Sequence, residues 1–373
     1  MSRSGNPETV ESIELPRREV RNILLIRTSA IGDVLHVLPA LEALRLQFPA
    51  ARFSWFVEPL GGSVLEGHPH IDDLIVFDRK RWTRNLLSPT RFWGSVRDFS
   101  GLVARMRRSK FDLVIDFQNN FRSGLAVACS GARWRVSFHP QDCREFGGWL
   151  FANLRAPPGP LSRPRVLKNL HLVRYLGWTG DVPEAVVPVP EEQREWARRF
   201  VDDLPGEGPL VTVHPAVSAW GFIKQWPVRH YNVLLDRLTR ERKVRVVVTW
   251  GPGEEAIARE VARGTAAVVA PATNPLLRLA ALLAESQLVL AADTGCLHLA
   301  AALGKPLVGL YGPKGTQTYA PYPLRGRLVQ SNVPCSPCRL RLCSHRICMD
   351  DISPLRVLES IDEVLEEEAI AEN

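Results

Sequence analysis

The sequence lacks any uninterrupted apolar run of ~18 residues, the length a membrane-spanning helix requires. Its start, MSRSGNPETVESIELPRREVR, is polar and has no apolar centre of the kind a secretory signal needs. The expectation is a cytoplasmic protein with reduced thiols, and residues 1–20 read as a flexible tail. No G-x-G-x-x-G follows the first β-rich run, which removes support for a dinucleotide oxidoreductase, and no Walker A sequence is present. No Asp-x-Asp pair occurs, which argues against a metal bridging a sugar diphosphate. A large charge excess is missing too. The 47 Lys and Arg against 40 Asp and Glu give +7, which favours anionic ligands without choosing among phosphorylated sugars, nucleic acid and an anionic membrane surface.

What is there is regular. At 373 residues the chain exceeds what one core usually accommodates, so two domains are expected. Short β-rich runs alternate with longer amphipathic stretches: 21–29, 52–59, 72–78, 111–118 and 133–140 in the first half, then 208–215, 243–253, 266–271, 287–295 and 305–313 in the second. Alternation of this kind specifies parallel sheets with helices on both faces. The Pro- and acid-rich stretch 178–192 reads as a linker. The reading is an α/β chain of two doubly wound domains facing a cleft, 21–185 and 186–352, followed by a helix over 353–373 with Ser353 as its cap. Ligands of such sheets collect at the C-terminal ends of strands.

Two turns stand out. In RTSAIGDVLHVLPAL an apolar run ends, Gly32 permits a tight turn, and Asp33 stands in the first turn of a helix expected to continue through LPALEALRLQF. An acid there is a capping residue, a proton acceptor at the mouth of a cleft, or both. In VLAADTGCLHLAAALGKPLVGLYGP a buried strand ends at Asp293 and a small, apolar helix follows. Thr294 and Gly295 then offer free backbone N–H groups and a hydroxyl to a phosphate or pyrophosphate, with Asp293 and His298 close by. A capped helix with a core histidine is the plain alternative. Two neighbouring loops add to the phosphate case. Ser218 and Lys224 follow the run at 208–215, and Glu255 follows a Gly-Pro-Gly turn where acids of nucleotide folds hold ribose.

Together with VIDFQNNFRSGLAVACSGARWRVSFHP, VHPAVSAWGFIKQWP and WGPGEEA, these pieces resemble the ADP-heptose:lipopolysaccharide heptosyltransferases, glycosyltransferase family 9, over most of residues 21–360. The resemblance implies a GT-B fold with the nucleotide-sugar on the C-terminal domain and the acceptor on the N-terminal one. It also implies inversion at the anomeric carbon without a metal. Asp33 matches the family's catalytic carboxylate, the general base. Lys224, Glu255, Asp293, Thr294, Gly295 and His298 match its donor-binding positions, and Ser218 a hydroxyl near the phosphates. Arg122 and Ser123, after the run at 111–118, are acceptor-side candidates, Arg122 for phosphates on a lipid A–core acceptor. Arg144 and Glu145 resemble a further acceptor-side position. The implied partners are ADP-heptose or a related nucleotide-sugar and a lipid A–core acceptor, with peripheral contact to the inner membrane, no nucleic acid and no cofactor required for catalysis.

Four of the seven cysteines cluster as Cys335-x2-Cys338-x4-Cys343-x4-Cys348, with His345 among them. In a reducing compartment this suggests a structural tetrahedral zinc, or else a set of reduced or partly paired thiols stiffening a loop. Cys129, Cys143 and Cys296 read as ordinary thiols. Two rival functions stay open: the same fold and mechanism with another nucleotide-sugar or glycan acceptor, and a zinc-containing nucleic-acid binder. The second is weakened by dispersed basic residues and by the absence of a recognition-helix or RNA-binding aromatic signature.

Overall fold

The computed structural model describes residues 11–371 apart from 144, 160–162, 339 and 341. The chain divides into two compact units, Met1–Val186 and Val187–Asn373.

The first unit holds a six-stranded sheet: β1 (Asn22–Ile26), β2 (Arg52–Val57), β3 (Asp73–Val76), β4 (Leu113–Asp116), β5 (Trp134–Ser137) and β6 (Leu154–Arg155). Its order is β3-β2-β1-β4-β5-β6, all parallel. The second unit repeats the plan with β7 (Leu210–His214), β8 (Arg245–Val248), β9 (Val268–Val269), β10 (Leu288–Ala292), β11 (Leu307–Tyr311) and β12 (Gly326–Gln330), in the parallel order β12-β11-β10-β7-β8-β9. Helices cover these sheets, so the central strands are apolar on both faces. Leu24 and Ile26 meet Met106, Val114 and Val127 in the first unit. Val213, Leu290 and Leu310 meet Trp226, Leu235 and Ile361 in the second.

The strands are shorter than the β-rich runs, because the C-terminal ends of the runs leave the sheet to form loops. Arg27–Ser29, Phe117–Gln118 and Thr249–Gly253 all lie past their strands. Two strands escape the sequence pattern. β6 is only two residues long, and β12 is an Arg-flanked edge strand that opens on Gly326. The helix expected after Asp33 is two helices, Ile31–Leu35 and Leu38–Gln47, with Pro39 in the first turn of the second. A proline is tolerated there, but further along a helix its ring would clash with the carbonyl four residues before it.

The C-terminal helix Pro354–Ala371 buries Val357, Leu358, Ile361 and Val364, while Leu355 stays exposed. The Ser353 hydroxyl accepts from Arg356 N–H at 3.3 Å. Its acidic end is paired rather than merely solvated: Arg325 meets Glu368, and Arg327 meets Glu363 and Glu367.

Candidate active site

In each sheet the strand order reverses beside the first strand of the unit, between β1 and β4 and between β7 and β10. Loops leave in opposite directions at such a point and open a crevice at the strand ends. The residues singled out from the sequence fall largely on those loops.

In the N-terminal unit, β1 ends at Ile26 and the chain turns into Ile31–Leu35 with Asp33 as its third residue. The Ala30 N–H donates to Asp33 Oδ2 at 3.4 Å, so capping is a real but weak part of the acid's role. The stronger partner is Arg27, whose Nη2 lies 2.6 Å from Asp33 Oδ2. Burial pushes the Asp33 carboxyl upward, but Arg27, His36 and Arg165 outweigh it and hold the group below its ordinary value. Asp33 is therefore ionised at neutral pH, and its side chain is still 37% exposed and open to a ligand.

The loop after β4 is stitched to this turn. Arg27 Nη1 donates to the Phe117 carbonyl at 2.7 Å, and Thr28 N–H donates to Gln118 Oε1 at 3.2 Å. The fully buried Asp116 at the end of β4 accepts from Gln118 N–H, Asn119 N–H and Ser123 Oγ at 3.0, 2.9 and 2.7 Å. Burial dominates over these bonds and raises its carboxyl to about 6. Ser123 is buried, with its hydroxyl also closing the N-terminus of helix Phe121–Ser130 on Asn120. It belongs to the loop scaffold and also lines the cavity beside it. Arg122 is exposed next to Ser123 and, with Glu58, Arg79 and Glu145, lines the same cavity, of about 330 Å³, whose floor is Phe77, Trp82, Phe99 and Leu102. Arg144 lies outside the described residues.

In the C-terminal unit, Lys224 ends the short helix that follows β7 and reaches across to the end of β10. Its ammonium donates to the Asp293 carbonyl and, at 3.1 Å, to Asp293 Oδ2. His298 Nε2 stands 3.3 Å from Asp293 Oδ1. Burial would raise the Asp293 carboxyl, yet His298 and Lys224 bring it down to about 2. Thr294 caps helix Gly295–Ala302, but its side chain makes no cap bond, and its buried Oγ1 has no partner among the described residues. Ser218 is exposed at the start of the loop that carries Lys224. Glu255 opens helix Glu255–Ala262 and pairs with Arg259 on its own helix at 2.5 Å. Its neighbour Glu254, unremarked in the sequence, turns inward: Oε2 accepts from Gly251 N–H at 2.8 Å and lies 3.8 Å from His214 Nε2. His214 is buried, which lowers it to about 4 and keeps it neutral.

In the cysteine loop, burial raises the Cys348 thiol, and Cys338, Cys335 and Cys343 stand close enough for their charges to add to that rise. Cys335 is exposed, Cys338 and Cys343 are half-buried and Cys348 is buried. Among the described residues no three His, Cys, Asp or Glu side chains come together to hold a metal ion. The loop is tied down by Ser336 Oγ to the Gly312 carbonyl and by Cys338 N–H to the Pro313 carbonyl at 2.9 Å.

Two doubly wound units of this strand order are the GT-B architecture, with a carboxylate at one switch point and a lysine beside a helix N-terminus at the other. Residues 100–348 match the family glycosyltransferase family 9 (heptosyltransferase), and the chain belongs to that family. It is 28% identical to lipopolysaccharide heptosyltransferase 1 of Pseudomonas aeruginosa, over 92% of this chain and 98% of that one. Against the Escherichia coli enzyme of the same name it is 27% identical, over 78% and 88%. Among solved structures, a family 9 glycosyltransferase from Veillonella parvula superposes with a TM-score of 0.76 at 21% identity, covering 97% of this chain and 100% of that one. Heptosyltransferase WaaC of Escherichia coli with ADP gives 0.72 at 24%, covering 92% and 99%, and was also solved with ADP-2-deoxy-2-fluoro heptose.

Proposed function

We propose that the chain transfers heptose from ADP-heptose to a lipopolysaccharide inner-core acceptor, with inversion, without a catalytic metal, and with Asp33 as general base. The observation that carries this is the donor-side arrangement: Lys224 locked on Asp293 next to the helix N-terminus that bears the unpartnered Thr294 hydroxyl. The names of its relatives in Pseudomonas and Escherichia supply the sugar and the acceptor.

The chemistry follows from the residues. An acceptor hydroxyl attacks the anomeric carbon, the bond to the diphosphate oxygen breaks, and the hydroxyl proton passes to the Asp33 carboxylate as the new bond forms. A carboxylate held low by Arg27 is a modest base, which suits a hydroxyl that becomes acidic only during attack. Charge grows on the departing ADP, where Lys224 and the Thr294–Gly295 N–H groups stabilise it best in the transition state. We assign Ser218 and Glu255 to the donor as well, although Glu254 is the acid of that loop that turns inward while Glu255 pairs with Arg259. Arg122, which lines the cavity of the N-terminal unit, is the cation we assign to the acceptor. Work on a lipid-linked acceptor places the enzyme in the cytoplasm, at the inner face of the inner membrane.

Calorimetric titration with ADP-heptose, ADP-glucose and UDP-GlcNAc tests the reading. Selective binding of ADP-heptose is expected. Preference for another nucleotide-sugar would move the protein to a different transfer on the same fold, and silence toward all three would reduce the donor loop to a capped helix.

A further inference from the structure

We propose that residues 79–110 form a docking face that settles on an anionic bilayer surface. The segment is two helices, Arg79–Leu86 and Phe92–Arg108, joined by a short loop. The longer helix carries one apolar stripe, Met106, Val103, Phe99, Val96 and Phe92, at helical spacing. At its C-terminal end the stripe is seated in the core, where Met106 packs with Phe111 and Val114. Toward the N-terminus the same stripe emerges from the protein, and Phe99, Val96 and Phe92 are exposed. Trp93 beside them is 77% exposed, and Leu87 in the connecting loop is 80% exposed. Apolar side chains left contiguous in water mark a contact surface.

Charge selects the partner. Between Arg79 and Lys110 stand ten Lys and Arg and a single acid, Asp98, a net of nine positive charges where the whole chain carries +7, so here the basic residues are concentrated and not dispersed as the sequence pattern suggested. Arg79 and Arg105 are engaged by Glu58 and Asp73, whereas Lys80, Arg81, Arg84 and Arg97 are exposed. Trp, Phe and Leu ringed by Lys and Arg are the composition of a helix lying in a headgroup layer. A second copy of the chain would bring like charge against like. Nucleic acid would answer the charge but give Leu87 and Val96 nothing to do. No helix among the described residues is long and apolar enough to cross a membrane, so the face rests on the bilayer rather than spanning it.

The placement gives the face a use. Trp82, Phe99 and Leu102 from these helices also wall the cavity that reaches Thr28 and Arg122 beside the Asp33 turn. A lipid-linked acceptor would then meet the cavity without leaving the membrane plane. In that respect the inference rests on the proposed acceptor and deepens it.

Flotation of the full-length protein with vesicles tests it. Binding is expected to phosphatidylcholine vesicles containing about a quarter phosphatidylglycerol and not to phosphatidylcholine alone, and is expected to fall about tenfold at high salt. The doubly substituted L87S/W93S protein and the triply substituted K80E/R81E/R84E protein are each expected to lose about tenfold or more in partitioning. Both should keep the wild-type melting temperature and ADP-sugar affinity. Absence of wild-type flotation, equal flotation with neutral vesicles, or undiminished flotation of the variants overturns the proposal. So does binding to poly(U) RNA without binding to vesicles. Donor titration on the same samples separates the two readings. A protein that binds ADP-heptose but does not float refutes the docking face alone, and one that floats without binding any nucleotide-sugar refutes the transferase reading alone.

Discussion

Arg27 bridges two loops: one guanidinium nitrogen lies 2.6 Å from Asp33 Oδ2, and the other donates to the Phe117 carbonyl at 2.7 Å. A single side chain at the end of β1 thus fixes the carboxylate and ties its turn to β4. Because Asp33 titrates below its ordinary value, the acid limb of the transfer rate should lie below pH ~4. The stability that this pair contributes is present above the unfolded carboxylate value and is lost as pH falls through the lower folded one. In Arg27→Met, burial acts without its principal opponent, so the acid limb should move up. Arg27→Lys keeps the charge and should restore most of the shift. A pH–rate profile of the three proteins decides, and an unmoved limb would show that Asp33 is not the group being titrated.

Asp33→Asn keeps the size of the side chain and removes the proton acceptor. Turnover is expected to fall by roughly 10² to 10⁴, the usual range for losing a positioned base, while calorimetric donor affinity stays near wild type. Asp33 sits on the N-terminal unit and the donor residues on the other, so the two readouts report on separate places. Turnover close to wild type would end its assignment as base.

The parts of this site visible in the sequence are those with a local signature. SAIGD and DTG each punctuate an apolar run, so the turns holding Asp33 and Thr294 can be found by pattern. Arg27 cannot: it stands six residues before Asp33, a spacing with no helical or strand meaning, and only the turn makes them neighbours. Asp116 is hidden for a related reason. It ends an apolar strand, and its partners are backbone N–H groups and the hydroxyl of Ser123, a residue that also lines the cavity beside Arg122. Glu254 and Glu255 are adjacent and alike, and only their opposite directions on the helix separate an acid facing the loop from one paired to Arg259. The break at His36–Val37 does have a signal, Pro39, which belongs in a first helical turn.

Asp293 offers a test by acid titration. Its carboxyl lies at about 2, below the unfolded value, so its contribution to stability is complete above pH ~4 and disappears as pH falls toward 2. Asp293→Asn should cost about 2 kcal/mol at neutral pH, and the difference from wild type should vanish near pH ~2. Denaturant melts at the two pH values measure it. A constant difference would show that packing, and not the bonds from Lys224 and His298, is what the acid supplies.

Metal removal checks who stabilises the leaving diphosphate. If Lys224 and the helix N-terminus do so, EDTA should leave the transfer rate within about twofold over a short assay, and added Mg²⁺ should not raise it. Lys224→Met should then cost about 10² to 10³ in kcat/KM, an effect Mg²⁺ does not rescue. Rapid loss in EDTA that Mg²⁺ reverses would assign the charge to a metal. Zinc content should be followed in the same samples, so that slow loss from the cysteine loop is not mistaken for a catalytic effect.

Thr294 separates binding from folding. Its Oγ1 is buried without a partner among the described residues, and it makes no cap bond to its own helix. A buried hydroxyl in that state stabilises nothing, so Thr294→Val, which keeps the shape, should leave the melting temperature unchanged or slightly higher. If the hydroxyl serves a donor phosphate, the same change should weaken ADP-heptose binding by about tenfold, the worth of one hydrogen bond to a charged group. A structural cap would behave in the opposite way, losing stability and sparing affinity. Thermal melts and calorimetry on one preparation therefore decide which role the residue has, and a loss of stability with unchanged affinity would return this helix terminus to an ordinary capped helix.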